Sequence, residues 1–299
     1  MKVLISGSTG LVGSALVRLL TSDNHHVTRL VRPGGPITHG SVLWDPQRGL
    51  LDSEAIEGHD AVVHLAGENI AAGRWTADQK KRIRESRVRG TSMLCGRLKS
   101  LKKPPTVALF ASAIGIYGDR SDEELTEQST PGPGFLAMVT KEWEAASDVL
   151  AETSIRVVKL RVGVVLSKEG GALVRILPVF KFGLGGKIGS GRQYMSWIAI
   201  DDLLNIVKYV LSHDNISGAV NAVSPNPATN EEFTKSLGKL LSRPTIFSVP
   251  RLALKLAAGE MGNELLLAST RVLPEKLISS GFRFEYPDLE QALKHVLGR

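Results

Sequence analysis

The sequence of 299 residues predicts an α/β fold, in which helices cover both faces of a doubly wound parallel sheet and a smaller lobe follows at the C-terminus. Three observations lead to this prediction. Short apolar runs alternate with longer stretches of helical periodicity, a glycine-rich turn follows the first run, and glycine and proline become frequent after Leu166. Such alternation is typical of parallel sheets, because each crossover between parallel strands needs a long connection, usually a helix.

The apolar runs give the predicted strands, and the periodic stretches give the helices between them. The two longest periodic stretches are residues 78–99 and 135–151. His64 closes one apolar run and is interpreted as a core histidine with satisfied hydrogen bonds. The predicted strands are residues 3–6, 27–31, 61–66, 107–111 and 156–160.

The turn after the first strand has the spacing of a dinucleotide-binding motif. Gly7 allows a tight turn, Gly10 allows backbone N–H groups to approach a pyrophosphate, and Gly13 allows the next helix to pack closely. That helix directs its positive end at the phosphates. Glycine triplets also occur in surface turns, but a strand before the motif and a helix after it favour a cofactor site. The predicted contacts in this turn are Gly7, Thr9, Gly10, Leu11, Val12 and Gly13.

The end of the second strand indicates which dinucleotide binds. NAD-binding units usually have a carboxylate there, whereas this chain has Arg32. A guanidinium pairs with a ribose 2′-phosphate through charge-assisted hydrogen bonds and gains little from a 2′-hydroxyl. We therefore predict NADP(H), with Arg32 as the main contact and Arg29 as a lesser one. The alternative is an ordinary exposed arginine at a strand end.

The composition restricts the partners and the compartment. The net charge is +7, but the densest basic run, residues 80–89, spreads its charges around a helix with few aromatic residues for base stacking. No apolar run approaches the ~20 residues of a membrane helix. The single cysteine, Cys95, is interpreted as a core residue and favours a reducing compartment. We expect a cytoplasmic protein with a small-molecule substrate, no nucleic-acid or membrane partner and no metal.

The C-terminal part of the chain differs in amino-acid composition from the part before it. Glycines dominate residues 182–191, which is typical of a loop over a ligand cleft. From residue 225 onward, prolines separate short helical patterns. We predict a cofactor-binding core at residues 1–165, to which residues 196–224 return, and a substrate-side lobe at residues 166–195 and 225–299.

Several segments resemble the extended short-chain dehydrogenase/reductases, the nucleotide-sugar epimerase superfamily. They are residues 60–67 (DAVVHLAG), 87–94 (RVRGTSML) and 112–118 (SAIGIYG), with later landmarks at 192–203 and 218–221. A narrower resemblance, to atypical epimerase-family proteins of the SDR39U type, rests on residues 66–70, 141–146, 183–186, 264–267 and 281–282. It implies a Rossmann fold and NADP binding, and it supplies no substrate.

The resemblance implies further cofactor contacts beyond the glycine turn. Arg87 replaces an asparagine that is usual in the superfamily, and its guanidinium is suited to a phosphate. The implied contacts are Leu65, Ala66 and Gly67 after the fourth strand, Arg82 and Arg87 on the next helix, and Val165 near the nicotinamide amide.

The proton-handling residues of that superfamily are missing from this chain. Its members use a tyrosine and, four residues later, a lysine whose charge lowers the phenol pKa, together with a Ser or Thr that orients the substrate oxygen. The Ser/Thr position is Ala113 here. The Tyr and Lys positions are Leu136 and Thr140, or Phe135 and Val139 in the other register.

Other residues could take over catalysis or contact the substrate, and most of these candidates also have a simpler structural explanation. The catalytic candidates are Ser112, Tyr117 and Lys141, for which strand-end packing, a structural role and a solvated helix face are the alternatives. The candidates for substrate contacts are Glu68, Asn69, Arg192 and Trp197, for which loop capping explains the first two and core packing the last.

Three functions are consistent with these residues. The first is an NADP(H)-dependent oxidoreductase of the epimerase family that works without the Tyr-x-x-x-Lys pair, aided by substrate orientation. The second is a catalytically silent NADPH-binding sensor or interaction protein. The third is a nucleotide-sugar epimerase, which the missing tyrosine disfavours.

Overall fold

The computed structural model of the protein describes residues 1–35, 37 and 40–299, and the strands come first. Most are short, and the longest lie in the first 165 residues. They are β1 (Lys2–Ser6), β2 (His26–Val31), β3 (Ser41–Asp45), β4 (Leu50–Leu51), β5 (Ala61–His64), β6 (Val107–Ala113), β7 (Glu124–Leu125), β8 (Arg156–Val162), β9 (Val164–Leu166), β10 (Gly186–Ile188), β11 (Tyr194–Met195), β12 (Trp197–Ala199), β13 (Gly218–Ala222), β14 (Ala228–Thr229), β15 (Phe247–Val249) and β16 (Arg271–Val272).

The helices alternate with these strands in the first part of the chain and dominate the last part. Short 3-10 turns cover Glu54–Ile56, Ile114–Tyr117 and Asp148–Leu150, and Asn263–Leu267 is π-helical. The α-helices are α1 (Leu11–Ser22), α2 (Ala77–Lys99), α3 (Phe135–Ala145), α4 (Gly171–Lys181), α5 (Ile200–Ser212), α6 (Asn230–Leu241), α7 (Arg251–Gly262), α8 (Glu275–Ser279) and α9 (Leu289–Leu297). Within the part of the chain that the structure describes, no helix is long and apolar enough to cross a membrane.

Eight strands form the central sheet, in the order β13-β8-β6-β5-β1-β2-β3-β4. All neighbours pair in parallel except β3 and β4. The chain proceeds from β1 in one direction to β2 and then in the other direction to β5, so the order reverses at β1. The predicted doubly wound α/β fold is therefore confirmed, and ligands of such sheets bind at the carboxyl ends of the strands near the reversal.

Side chains of the central strands point alternately into two cores. Val3 and Ile5 lie in the core under α1 and α5, together with Leu16. Leu4 lies in the core on the opposite face, together with Leu94 of α2. Burial of one such leucine side chain contributes about 2 kcal/mol to folding. Both faces of the sheet are thus covered, as its nearly continuous apolar strands require.

Cys95 is fully buried in the core under α2. Burial raises the pKa of its thiol to about 12, because the thiolate would be desolvated there. The interpretation of Cys95 as a core residue is confirmed, and its thiol is not a reactive nucleophile at neutral pH.

Some boundaries differ from those predicted. The fifth strand ends at His64 and not at residue 66. The N–H of Leu65 still bonds to the backbone carbonyl of Ser6, but the N–H of Ala66 bonds to the Ser6 hydroxyl instead. The helix predicted at residues 135–151 ends at Ala145, and a separate 3-10 turn follows at Asp148–Leu150. Strand β3 was not predicted, because its sequence SVLWD lacks a clear apolar pattern.

The C-terminal residues 166–195 and 225–299, here called the C-terminal lobe, contribute most of a third core. Leu173 of α4, Phe233 of α6 and Leu293 of α9 meet in it. Trp197 of β12 completes this core from the sheet side, where β12 pairs with β9. The lobe therefore rests on apolar packing of its own.

A carboxylate from the C-terminal lobe caps the helix α3. Glu264 accepts hydrogen bonds from the N–H groups of Phe135 (2.7 Å) and Leu136 (2.8 Å). The residue before α3, Gly134, has no side chain to serve as a cap and has a φ of 110°. A salt bridge between Lys80 of α2 and Glu260 of α7, 2.8 Å long, joins the same regions. These contacts hold the lobe against α2 and α3.

A second polar link joins the ends of β1 and β5. The Ser6 hydroxyl oxygen accepts from the N–H groups of Leu65 (3.2 Å) and Ala66 (3.3 Å) and lies 2.7 Å from Nδ1 of His64. Since that oxygen already accepts twice, its proton goes to Nδ1, and the neutral ring carries its own proton on Nε2. Nε2 finds no hydrogen-bond partner among the described residues, so His64 is a core histidine but not a fully satisfied one.

We expect the substitution Glu264→Ala to destabilise the protein by about 1 kcal/mol, because two N–H groups of α3 lose their acceptor. Urea unfolding measures this loss. The control is Glu275→Ala, an exposed acidic residue in the first turn of α8, for which we expect only a few tenths of a kcal/mol. Equal effects of the two substitutions would contradict the capping role.

We expect stability to fall as the pH drops from about 6.5 to 4, because burial lowers the pKa of His64 to about 4. In this window the unfolded chain binds a proton that the folded protein excludes, which amounts to about 3 kcal/mol over the window. Urea unfolding across this pH range measures the slope.

The variant His64→Gln should have a shallower slope, whereas His26→Gln, an exposed histidine, should keep it. Some slope persists in His64→Gln because the pKa of His59 is also lowered by burial. An unchanged slope in His64→Gln would show that His64 does not titrate in this way.

Candidate functional site

The glycine turn between β1 and α1 packs too closely for side chains at two of its three glycines. A Cβ on Gly7 would lie 2.7 Å from the carbonyl carbon of Leu65, and one on Gly13 would lie 2.1 Å from the carbonyl oxygen of Gly7. Gly7 also has a φ of 70°. At Gly10 the nearest protein atom to a Cβ would be 3.4 Å away, so the protein leaves open space there. This space suits a bound phosphate.

The first turn of α1 offers free hydrogen-bond donors to that space. Gly10 precedes the helix and provides no side-chain cap, and the first turn contains no acidic residue. Thr9 and Gly10 are exposed, while Leu11 and Val12 are half-buried. Free N–H groups and the positive end of the helix form a site for an anion, so the residues present fit a dinucleotide pyrophosphate.

The loop after β5 brings a second group of predicted contacts to the same edge of the sheet. The guanidinium of Arg87 lies against Gly67, where a Cβ would be 3.3 Å from its central carbon, and 5.1 Å from the ring of Trp143. Nη1 of Arg87 donates to the carbonyl of Ile83 (3.1 Å). Burial lowers the pKa of Arg87 to about 10, and the nearby Glu68 carboxylate opposes this effect. Arg87 stays charged at neutral pH beside the loop.

The other predicted cofactor contacts are spread around this edge. Arg32 is exposed directly after β2, the neighbour of β1, and Arg29 is half-buried within β2. Arg82 is exposed on α2 and donates to Gln79. Val165 of β9 is half-buried and packs against the core under α1.

A buried polar network occupies the carboxyl ends of β6 and β8. Ser112 donates to Oε1 of Glu144 (2.5 Å), which also pairs with Nε of Arg161 (2.8 Å). The hydroxyl of Tyr117 accepts from Arg161 (2.9 Å) and donates to Oδ1 of Asn221 (2.7 Å). Burial raises the pKa of Tyr117, although Arg161 acts in the opposite direction. All these polar groups bond to one another.

The network and the cores change the interpretation of two candidates. Tyr117 is fully buried with its hydroxyl bonded on both sides, so it is a structural residue and not a proton donor to a substrate. Trp197 is also fully buried, and its Nε1 donates to the carbonyl of Asn226 (3.1 Å). The expectation that Trp197 contacts the substrate is corrected, because no part of its ring reaches the cleft.

The remaining catalytic candidates differ in their surroundings. Ser112 is 4% exposed and its proton is already donated to Glu144. Lys141 is exposed on α3. Of the positions that carry the Tyr and Lys in the superfamily, Leu136 is half-buried and Thr140 is buried. The structure brings no phenol to this part of the site.

The substrate candidates Glu68 and Asn69 lie at the start of the loop after β5. Oδ1 of Asn69 accepts from the N–H of Ala71 (2.9 Å), which makes it a turn residue of that loop. Glu68 is half-buried and faces the charge of Arg87.

The remaining candidate, Arg192, lines a pocket of about 350 Å³. Arg251, Asp119 and Asp122 line it too, so both charges are present. Arg192 itself is exposed. Among residues 1–35, 37 and 40–299, no group of His, Cys, Asp and Glu side chains could hold a metal ion.

The sequence did not lead us to predict the polar residues whose hydrogen bonds to one another occupy the site. Arg161 and Asn221 are buried polar residues within apolar strands, and this unusual placement was a signal. Glu144 and Glu264 gave no signal, because single carboxylates on helices are usually solvated. Their partners are 17 and 129 residues away in the chain.

Comparison with known proteins agrees with this geometry. Residues 3–222 match the model of the NAD dependent epimerase/dehydratase family, and residues 249–296 match a domain of unknown function, DUF1731. The chain is 39% identical over 297 residues to the epimerase family protein Mb2239 of Mycobacterium bovis, covering 99% of this chain and 98% of that protein.

Two solved structures support the same relationship. The crystal structure of human epimerase family protein SDR39U1 with NADPH has a TM-score of 0.91 and 33% identity, with both chains covered completely. A nucleoside-diphosphate sugar epimerase from Corynebacterium glutamicum has a TM-score of 0.83 and 38% identity, over 100% of this chain and 58% of that chain. Together with the glycine turn, these matches show that the chain belongs to the NAD dependent epimerase/dehydratase family and resembles its SDR39U1-like members.

Proposed function

We propose that this protein is an NADP(H)-dependent oxidoreductase of the epimerase family that works without the Tyr-x-x-x-Lys pair. The observation that carries the proposal is a dinucleotide cradle, formed by the glycine turn and the loop after β5. In this proposal residues 1–165 and 196–224 hold the cofactor, and residues 166–195 and 225–299 form the substrate side. The single buried cysteine supports the proposed cytoplasmic location.

The preference for NADP(H) over NAD(H) rests on charge. Arg32 and Arg29 lie at the end of β2, and no carboxylate takes the place where a ribose diol is usually bound. The human relative SDR39U1 was crystallised with NADPH, which supports the same preference. Other similar structures contain NAD, including a UDP-glucose 4-epimerase from Thermus thermophilus with 19% identity, so the family alone does not decide the cofactor.

The bound dinucleotide would supply or accept a hydride. Its pyrophosphate would bind to the N–H groups of Leu11 and Val12. Gly7, Thr9, Gly10 and Gly13 would shape the turn, and the N–H of Gly10 donates to the carbonyl of Gly7 (3.0 Å). Leu65, Ala66 and Gly67 would border the adenine and ribose. Arg82 and Arg87 would offer positive charge to the phosphates, and Val165 would border the nicotinamide.

On the substrate side, Glu68, Asn69 and Arg192 would provide polar contacts, and Arg192 would pair with an anionic group. Ser112 would orient a substrate oxygen only by giving up its bond to Glu144. Since Ala113 and Leu136 are apolar, we expect a substrate whose reaction needs little proton transfer from the protein. Lys141 would act only if α3 turned toward the cleft.

The second candidate function is a silent NADPH-binding sensor or interaction protein. The engagement of both Ser112 and Tyr117 in the buried network favours it. Incubation of the NADPH-loaded protein with a fractionated metabolite extract separates the two functions. Cofactor oxidation that depends on one fraction would eliminate the silent binder. A fraction that raises thermal stability without turnover would support it, and turnover of a sugar nucleotide would favour an epimerase.

We expect the substitution Arg32→Asp to weaken NADPH binding by about ten- to a hundredfold, because the 2′-phosphate loses its charged partner and faces a carboxylate. NADH binding should be unchanged or tighter. Fluorescence titration with both cofactors measures the two affinities. The control is Arg48→Asp, which removes an exposed arginine at the β3–β4 turn and should leave both affinities unchanged. An unchanged NADPH affinity in Arg32→Asp would refute the assignment.

A further inference from the structure

Most residues of the helix α7 are apolar, yet most of them are exposed to solvent. Leu252 is 68% exposed and Leu256 is 70% exposed, one helical turn apart. Only Leu254, Ala258 and the residues near Gly262 turn toward the rest of the protein. Helices of this composition are normally buried in a core or against a partner. An exposed one indicates a surface that something else covers.

The exposed apolar surface continues from α7 onto the small sheet before it. Strand β15 leads through Pro250 into α7 and pairs with β10, and residues 246–253 are all exposed. Phe182 and Ile246 are 81% and 82% exposed at the start of this sheet. Two close contacts tie the parts together: a Cβ on Gly183 would lie 3.8 Å from Pro244, and one on Gly189 would lie 2.9 Å from Arg251. We call residues 181–184, 243–249 and 251–256 the basic apolar face.

The two chain segments that form this face carry charges of only one sign. Residues 170–200 contain four Lys or Arg and no Asp or Glu, and residues 233–259 contain five and none. These two segments supply the whole of the basic apolar face. Elsewhere in the described chain, lysines and arginines commonly pair with carboxylates, but Lys181, Arg243, Arg251 and Lys255 on this face form no salt bridge with any described residue.

From this combination we propose that the basic apolar face docks the protein on an anionic lipid surface. Lysines and arginines are attracted to negative headgroups, while exposed leucine and phenylalanine side chains enter the boundary between headgroups and acyl chains. The protein then binds at the surface of a membrane and needs no helix that spans it. This inference is independent of the proposed cofactor and reaction.

Charge complementarity favours a lipid surface over other occupants. A second copy docking face to face would bring together two sets of cations with no carboxylate between them, and like charges repel. A nucleic acid would satisfy the cations, but large exposed aliphatic side chains such as Leu252 and Ile246 gain nothing from a phosphate backbone. Anionic lipid satisfies the cations and the apolar side chains together.

Flotation of the full chain with lipid vesicles tests the proposal. We expect binding to vesicles of phosphatidylcholine mixed with phosphatidylglycerol, little binding to phosphatidylcholine alone, and weaker binding at high salt, because salt screens exposed charges. The double variant Arg243→Glu/Lys255→Glu should bind about tenfold more weakly or worse. The double variant Leu252→Ser/Leu256→Ser should lose the part of binding that persists at high salt.

Matched controls change the same residue types elsewhere on the surface. Lys102→Glu/Lys103→Glu makes the same charge change at exposed positions, and Leu43→Ser/Leu50→Ser removes two exposed leucines at the far edge of the sheet. Both controls should float like the unchanged protein. Thermal unfolding shows that each variant is folded, since all the positions are exposed.

Three outcomes would overturn the proposal. They are no flotation with anionic vesicles at low salt, flotation that the controls reduce as much as the test variants do, and binding to a soluble polyanion such as heparin without binding to vesicles. A change from dimer to monomer in the leucine variant, without any vesicle binding, would identify a second copy as the occupant.

Discussion

The site of this protein depends on how closely three backbone segments approach one another. The turn at Gly7 touches the start of α1 at Gly13 and the loop after β5 at Leu65, with no room for a side chain at either contact. The Ser6 hydroxyl fixes the same loop through two N–H groups. Since the start of α1 and the loop after β5 both pack against this turn, a displacement of the turn would move the helix end and the loop together.

The buried network around Arg161 engages the polar side chains near the carboxyl end of β6. A buried ion pair is costly unless its remaining donors and acceptors are satisfied. Here Glu144, Ser112, Tyr117 and Asn221 satisfy them. The polar groups near the carboxyl end of β6 therefore stabilise one another, and their protons are less available to a substrate.

Helix α7 of the C-terminal lobe links the basic apolar face to the first part of the chain. Glu260, near the end of this helix, and Glu264, just after it, bond to α2 and α3. The beginning of α7 belongs to the basic apolar face. A membrane contact at the beginning of α7 would thus involve the same element as the salt bridge between Lys80 and Glu260.

The sequence by itself determined the alternation of strands and helices, the glycine turn and the absence of a tyrosine at the required spacing. These features follow from local periodicity and from residue identity at fixed spacings, which need no folded structure. Only the tertiary structure decided that Trp197 is core, that Tyr117 is bonded to Arg161 and that Nε2 of His64 lacks a partner among the residues described. It also decided that α7 is exposed. Burial and pairing depend on residues far apart in the chain, and no local pattern records which of them meet.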